Sequence, residues 1–93
     1  MAIQTFKSKA LKKLFDEGDA SGVSGDIADR LLRRLDTLDA ATVISDLNLP
    51  GFRLHQLKGD RRGTWAIDIS GNWRLTFKFQ DGDASDVNLE DYH

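Results

Sequence analysis

The spacing of apolar residues changes once along this chain, and the change lies at Pro50-Gly51. Before it, apolar side chains recur every three or four residues, which predicts amphipathic helices. After it, apolar and polar residues alternate, which predicts strands with one buried face. Helices followed by consecutive strands indicate an α+β fold of two layers. A chain of 93 residues is expected to form one domain, residues 1–93.

The first half is predicted to hold a short N-terminal strand at residues 2–6 and then helices. One helix spans residues 8–17 and stops at Gly18. A leucine-rich helix spans residues 26–38. Asp39 is then predicted to be the N-cap of a short helix that runs to residue 47.

The second half is predicted to form about four consecutive strands, so the sheet has four to five strands and is mainly antiparallel. Tight turns are expected at Gly71-Asn72 and at Asp81-Gly82. One face of the third of these strands should pack beneath the leucine-rich helix: Trp73, Leu75, Phe77 and Phe79. The opposite face carries Arg74, Thr76 and Lys78, and we expect it to be bare and to hold a binding site.

Composition narrows the kinds of site that are possible. The chain has no cysteine, which excludes disulfides, thiolate metal sites and a cysteine nucleophile. No apolar run approaches the roughly 18 residues that span a bilayer, so we expect a cytoplasmic protein without membrane contact. The net charge is −2, but residues 52–80 carry six basic residues against two acidic ones. Such a patch can hold phosphate, because salt screens charges beyond about 8–10 Å.

Two histidines, His55 and His93, are the side chains best suited to move protons near neutral pH. RNA cleavage without a metal needs a base for the 2′-hydroxyl, an acid for the departing 5′-oxygen, and cations at the phosphate. Lys58, Arg74 and Tyr92 add the remaining residue types. A histidine in so small a domain is nevertheless more often a surface or packing residue, and residue chemistry alone favours that interpretation.

The segment 53–62 interleaves basic and apolar residues. Its basic residues Arg53, Arg61 and Arg62 are candidate RNA contacts, and so is Lys78 on the bare face. The alternative is an exposed hairpin with solvated charges. The histidines and acids have no metal-ligand spacing, so no metal or other cofactor is expected.

Four fragments, in this order and spacing, resemble the HigB toxins of the RelE/ParE superfamily of bacterial type II toxin–antitoxin systems. They are Leu54-His-Gln-Leu-Lys-Gly-Asp-Arg61, Gly63-x-Trp65, Asn72-Trp-Arg-Leu-Thr-Phe77 and Leu89-Glu-Asp-Tyr-His93. The resemblance covers essentially the whole chain and implies a RelE-like fold. It departs in charge, because such toxins tend to be basic and this chain is slightly acidic.

The resemblance implies a ribosome-dependent mRNA interferase, an endoribonuclease that cuts mRNA in the ribosomal A site. The 2′-hydroxyl attacks the adjacent phosphate without a metal. The implied site residues are His55, Lys58, Asn72, Arg74, Asp91, Tyr92 and His93. The implied partners are the ribosome, mRNA and a helix-turn-helix HigA-like antitoxin, through which alone the toxin reaches operator DNA.

Roles follow as hypotheses. His93, helped by Asp91, takes the proton from the 2′-hydroxyl, and His55 serves as the acid or holds the leaving group; the two roles could be exchanged. Lys58 and Arg74 stabilise charge on the phosphate. Tyr92 stacks on or positions a nucleotide. Two alternatives remain open: a ParE-like toxin that inhibits DNA gyrase, and an inactive relative that only binds RNA or antitoxin.

The direction of the tail raises a separate question. In an unbroken last strand, Asp91 would share a face with Val87 and Leu89 and point toward the core. We therefore expect the tail to bend or bulge off the sheet after Leu89.

Overall fold

The computed structural model describes residues 2–91, and the predicted site residues Tyr92 and His93 lie outside the described residues. Within residues 2–91 there are two α-helices, α1 (Lys9–Glu17) and α2 (Ala28–Ala40), and two 3-10 turns, Ile44–Leu47 and Gly59–Arg61. The strands of the same range are β1 (His55–Gln56), β2 (Thr64–Ser70), β3 (Trp73–Gln80) and β4 (Asp83–Asp91). None of the helices in this part of the chain is both long and apolar enough to cross a membrane.

Helix α1 begins one residue after the predicted start and ends at the predicted residue. The Ser8 hydroxyl oxygen accepts a hydrogen bond from the Leu11 N–H at 3.3 Å, which caps the first turn. Gly18 ends the helix with φ of 70°, and its N–H donates to the Leu14 carbonyl oxygen at 3.0 Å. Glycine adopts this left-handed conformation at little cost, so the chain can leave the helix there.

Helix α2 runs further than predicted and includes Asp39, so Asp39 is not an N-cap. Its carboxylate instead accepts the backbone N–H of Ile3 at 3.1 Å, which ties the N-terminal segment to the helix. The short helix that was expected next is a single 3-10 turn. Asp46 caps that turn from within, because its carboxylate accepts the N–H groups of Thr42 and Val43.

The strands form a sheet in the order β1-β2-β3-β4, and each neighbouring pair is antiparallel. The turn between β3 and β4 has positive φ at both Asp81 and Gly82, 53° and 82°, as a type I′ hairpin requires. The N-terminal segment adds a parallel edge beside β4, where Ile3 bridges Ala84 and Phe6 bridges Val87. The prediction of a mainly antiparallel sheet of four to five strands is confirmed.

A β-bulge interrupts β4 earlier than expected. Thr76 pairs with Asn88 but Lys78 pairs with Ser85, so Asp86 and Val87 together face one residue of β3. Asp86 takes φ of 52°, a left-handed conformation that aspartate tolerates better than most residues. We predicted that the chain leaves the sheet after Leu89. This is wrong for the next two residues, because Glu90 still pairs with Arg74 and Asp91 still pairs with Trp73.

The two faces of the sheet follow from its register, because cross-strand partners project to the same side. One side carries pairs such as Ile67 with Leu75, which are fully buried in one core with the leucines of α1 and α2. The other side, which we call the open face, is defined by residues of three rows: His55-Ala66-Thr76-Asn88, Asp68-Arg74-Glu90 and Thr64-Lys78-Ser85.

The open face is not bare, which corrects the prediction. Thr76 is only 2% exposed, and the Arg74 side chain is 15% exposed. Alternation along β3 placed these residues on the correct side of the sheet. It did not reveal that the side chains of Arg61 and Glu90 meet above Thr76 and shield it from solvent.

Candidate active site

His55 lies on the open face at the edge of the sheet, paired with Ala66 of β2, and its side chain is exposed. Its Nδ1 atom is 2.8 Å from the backbone carbonyl oxygen of Arg53. Because a carbonyl oxygen only accepts hydrogen bonds, this contact assigns the ring proton to Nδ1. The Nε2 atom is then left to exchange a proton with a ligand.

Arg53 precedes His55 in an unusual backbone conformation, with φ of 50°. Left-handed conformations of non-glycine residues cost about 1–3 kcal/mol and concentrate at functional sites. The side chain of Arg53 points back to the sheet, where its Nε atom lies 3.6 Å from the Asp68 carboxylate. The backbone carbonyl of Arg53 thus orients the His55 ring, and the Arg53 side chain adds a guanidinium beside the Asp68-Arg74-Glu90 row.

Glu90 is the centre of the charged cluster on the open face. Its carboxylate accepts a two-pronged hydrogen bond from Arg61, with Nη1 at 2.9 Å from Oε1 and Nη2 against Oε2. The Thr76 hydroxyl donates to Oε2 at 2.9 Å. Arg74, the cross-strand partner of Glu90, lies with Nη2 at 3.4 Å from Oε1. The Glu90 carboxylate therefore accepts hydrogen bonds from two guanidinium groups and one hydroxyl.

These contacts lower the pKa of Glu90 from 4.5 to about 2. The hydrogen bond from Arg61 is the largest cause, and partial burial opposes it. The same contact raises the pKa of Arg61 above its ordinary value. Glu90 is thus ionised at any pH at which the protein would work, and the cluster keeps its charges.

The loop 58–63 carries three of the predicted cations, and its residues are exposed. Lys58 and Arg62 flank the 3-10 turn Gly59–Arg61. The Arg62 N–H closes this turn by donating to the Gly59 carbonyl oxygen at 3.2 Å. Gly59 and Gly63 have positive φ, 68° and 92°, which lets the chain turn sharply at both ends.

A cleft of about 220 Å³ lies beside the cluster. Its lining includes Arg61, Thr76 and Glu90 from the cluster, and the basic residues Lys7 and Lys78. Lys78 is exposed, and its ammonium group lies 3.8 Å from the Asp86 carboxylate. A weak pair of this kind in solvent leaves Lys78 available to an anionic ligand.

The predicted residues do not all meet at one point. Lys58 follows Leu57, whose N–H donates to the Thr64 carbonyl oxygen at one end of β2. Asn72 lies in the turn at the other end of that strand. Because β2 has seven residues, these ends are about 20 Å apart. The candidate site is an elongated face, suited to an extended ligand.

Asp91 lies on a different side of the sheet from His55 and Arg74. It pairs with Trp73, so it projects toward the core side, but it is exposed because it lies at the end of the sheet. The sequence placed Thr76 on the binding face but did not single out Glu90 for the site. The signal that could have found Glu90 is its place opposite Arg74, which depends on the bulge at Asp86.

No group of three or more histidine, aspartate or glutamate side chains within residues 2–91 is arranged to hold a metal ion. The cluster on the open face instead alternates carboxylates with guanidinium groups. Its chemistry is that of hydrogen-bond donors and fixed positive charge beside one histidine, which suits a phosphate-containing ligand.

This architecture also occurs in a solved structure. The solution structure of a conserved hypothetical protein from Helicobacter pylori superimposes with a TM-score of 0.54 at 16% identity, covering 97% of this chain and 94% of the other. The likeness concerns the fold alone. Two helices packed on a four-stranded antiparallel sheet form the RelE-like fold that the sequence predicted.

Sequence comparison narrows the class to a family. A family model described as the RelE-like toxin of type II toxin–antitoxin system HigB matches residues 4–93, and the chain belongs to this HigB-like toxin family. It is 50% identical over 91 residues to a Proteus vulgaris protein named Endoribonuclease HigB, covering 98% of this chain and 99% of that protein. It is 34% identical over 92 residues to Toxin HigB-1 of Vibrio cholerae, covering 97% and 96%. The predicted resemblance to HigB toxins is confirmed.

Proposed function

We propose that this HigB-type toxin is an endoribonuclease that cuts mRNA in the ribosomal A site, through attack of the 2′-hydroxyl on the adjacent phosphate. The observation that carries the proposal is the arrangement around His55. Its Nδ1 is engaged by the Arg53 carbonyl oxygen, which leaves Nε2 for proton transfer, and His55 lies in the same row of the open face as Thr76, next to the row that holds Arg74 and Glu90. The relative named Endoribonuclease HigB supports the same reaction class.

The reaction divides into two proton transfers around one phosphorus atom. The 2′-oxygen forms a bond to phosphorus as its proton passes to a base, and the bond from phosphorus to the 5′-oxygen breaks as an acid protonates that oxygen. We assign the base to His93, assisted by Asp91, and the acid to His55, which acts in its doubly protonated form and gives the proton on Nε2 to the 5′-oxygen. Tyr92 positions the nucleotide by stacking. His93 and Tyr92 lie outside the described residues, so this part of the proposal rests on sequence.

The cations have the task of stabilising charge that builds up on the phosphate. Lys58 supplies a flexible point charge at one end of the face. Arg74 supplies a guanidinium that Glu90 and the strand hold in place. The remaining candidates bind the RNA backbone on either side: Arg53, Arg61, Arg62, Asn72 and Lys78.

Family membership implies an antitoxin partner. We propose that this antitoxin is a HigA-like helix-turn-helix protein, and that the toxin contacts operator DNA only through it. The ribosome presents the mRNA, which accounts for a toxin whose own charge is slightly negative. Because ribosomes and mRNA are cytoplasmic, the protein acts in the cytoplasm.

Two parallel assays test the proposal. Purified protein is incubated with ribosomes carrying a defined mRNA, and separately with DNA gyrase and relaxed plasmid. Cleavage of mRNA together with unaffected supercoiling is the expected result. Inhibited gyrase with intact mRNA would support the ParE-like alternative, and no effect in either assay would support an inactive relative.

A further inference from the structure

The contact between Arg61 and Glu90 joins two distant parts of the molecule. Arg61 belongs to the exposed loop between β1 and β2, and Glu90 belongs to β4, two strands away from β2. Neighbouring strands lie about 4.8 Å apart, so the side chains together bridge roughly 10 Å across β3. The loop 58–63 is thereby fastened over the open face by a fork of two charge-assisted hydrogen bonds.

The strand beneath completes the arrangement. Thr76 on β3 donates to the carboxylate from below, and Arg74 approaches its other oxygen. The Glu90 side chain is 21% exposed and the Arg74 side chain 15%, so the hydrogen bonds at the carboxylate are partly shielded from water, while the Arg61 side chain is 44% exposed. By contrast Lys58, three residues from Arg61, has an exposed side chain, and its position depends on how the loop is held.

We propose that Glu90 is a positioning residue of the active site, whose carboxylate fixes Arg61, and with it the loop that carries Lys58, over the open face next to Arg74. The inference rests on the proposed function for the reaction it assists, but the anchoring itself is independent of that reaction. Arg61 gives two of its five N–H donors to Glu90 in the two bonds described, so others stay available for an RNA phosphate.

A carboxylate at this place has two opposing effects, and they predict different kinetics. By its charge alone it repels RNA, so removing it would lower KM and leave kcat unchanged. By positioning the cations it favours the transition state, so removing it lowers kcat. The number and convergence of donors on Glu90 favour positioning, since a residue that merely repelled RNA would need no such contacts.

The experiment compares Glu90→Gln with Asp81→Asn in cleavage of ribosome-bound mRNA. Both variants lose one negative charge, but Asp81 lies in the β3–β4 turn with φ of 53°, which asparagine also tolerates. We expect Glu90→Gln to lower kcat about 10- to 100-fold with KM changed less than about 3-fold. Asp81→Asn is expected to keep the wild-type kcat.

Arg61→Gln removes the same contact from its exposed end. This variant tests the contact even if Glu90→Gln does not fold. If both residues act through one contact, the double variant loses no more kcat than the worse single one. A lower KM with unchanged kcat in Glu90→Gln, or fully additive losses, would overturn the inference.

Amide hydrogen exchange of the loop 58–63 provides a readout without catalysis. Glu90→Gln is expected to speed exchange of the Arg61 and Arg62 N–H groups, with no change in α2. Equal exchange rates in Glu90→Gln and wild type would contradict anchoring. If wild-type protein cleaved no mRNA while the exchange rates changed as expected, the proposed function would fail and the positioning of the loop would stand.

Discussion

The Nδ1 atom of His55 lies 2.8 Å from the backbone carbonyl oxygen of Arg53, two residues earlier in the chain. The contact is local, so it forms with the edge strand itself and does not depend on a distant side chain. It orients the ring and leaves Nε2 as the ring nitrogen that can exchange a proton with a ligand. A proton-transfer role for His55 would therefore rest on the unusual backbone of Arg53.

Replacement of His55 by alanine should remove the acid without disturbing the fold. We expect kcat for ribosome-bound mRNA to fall about 10²- to 10⁴-fold, the usual contribution of a general acid. The melting temperature should stay near that of wild type, because the side chain is exposed. Gln56→Ala is the matched control: Gln56 is the exposed neighbour in β1 and pairs with Trp65 on the opposite face. Full activity of a folded His55→Ala protein would exclude His55 from the chemistry.

The depressed pKa of Glu90 links stability to pH. The carboxylate has a folded pKa of about 2 and an ordinary value of 4.5, so its contribution is complete above about pH 5 and is lost as pH falls toward 2. We expect Glu90→Gln to lower the free energy of unfolding by about 1–2 kcal/mol at pH 7, after allowance for solvent screening.

Denaturant titrations of wild type and Glu90→Gln between pH 7 and pH 2 measure this effect. The difference between the two proteins should shrink steadily below pH 5. A difference that stays constant across that range would show that the charge of Glu90 contributes nothing to stability.

The leucine stripe of α2 allows a test of the core. Leu35 is fully buried, whereas Leu32, one turn away on the same helix, is only partly buried. Leu35→Ala should cost about 2–5 kcal/mol of unfolding free energy through lost contacts and the cavity left behind. Leu32→Ala should cost clearly less. Equal losses in urea denaturation would contradict the packing of α2 described above.

Arg62 is proposed to contact the RNA backbone, which salt dependence can test. Loss of one phosphate contact should reduce the slope of log affinity against log salt by about 0.7 for single-stranded RNA. We expect this from Arg62→Ala in binding to a short oligoribonucleotide. Arg33→Ala, an exposed arginine of α2 on the other layer, should leave the slope unchanged. Identical slopes for the two variants would remove Arg62 from the RNA-binding surface.

Local signals predicted the elements well. The stop at Gly18 and the turn at Asp81-Gly82 each depend on the chemistry of adjacent residues, and both are found. The side of the sheet on which Arg74 lies was also predictable, because alternation along a strand needs no partner.

Long-range contacts were not predictable in this way. The bulge at Asp86 shifts the register of β4, and only that register brings Glu90 opposite Arg74. The hydrogen bond from Arg61 to Glu90 across β3 depends on the geometry of a loop. The hydrogen bond from the Ile3 N–H to the Asp39 carboxylate joins residues 36 positions apart. Spacing along the chain carries no information about such contacts.

Ribosomes programmed with a defined A-site codon, followed by analysis of the ends of the mRNA fragments, test the central claim most directly. We predict that the wild-type toxin cuts within or next to that codon and leaves a 5′-hydroxyl on the downstream fragment, because the 5′-oxygen is the leaving group. His55→Ala and His93→Ala should leave the mRNA intact. A 5′-phosphate on the downstream fragment, or undiminished cleavage by both variants, would contradict the account.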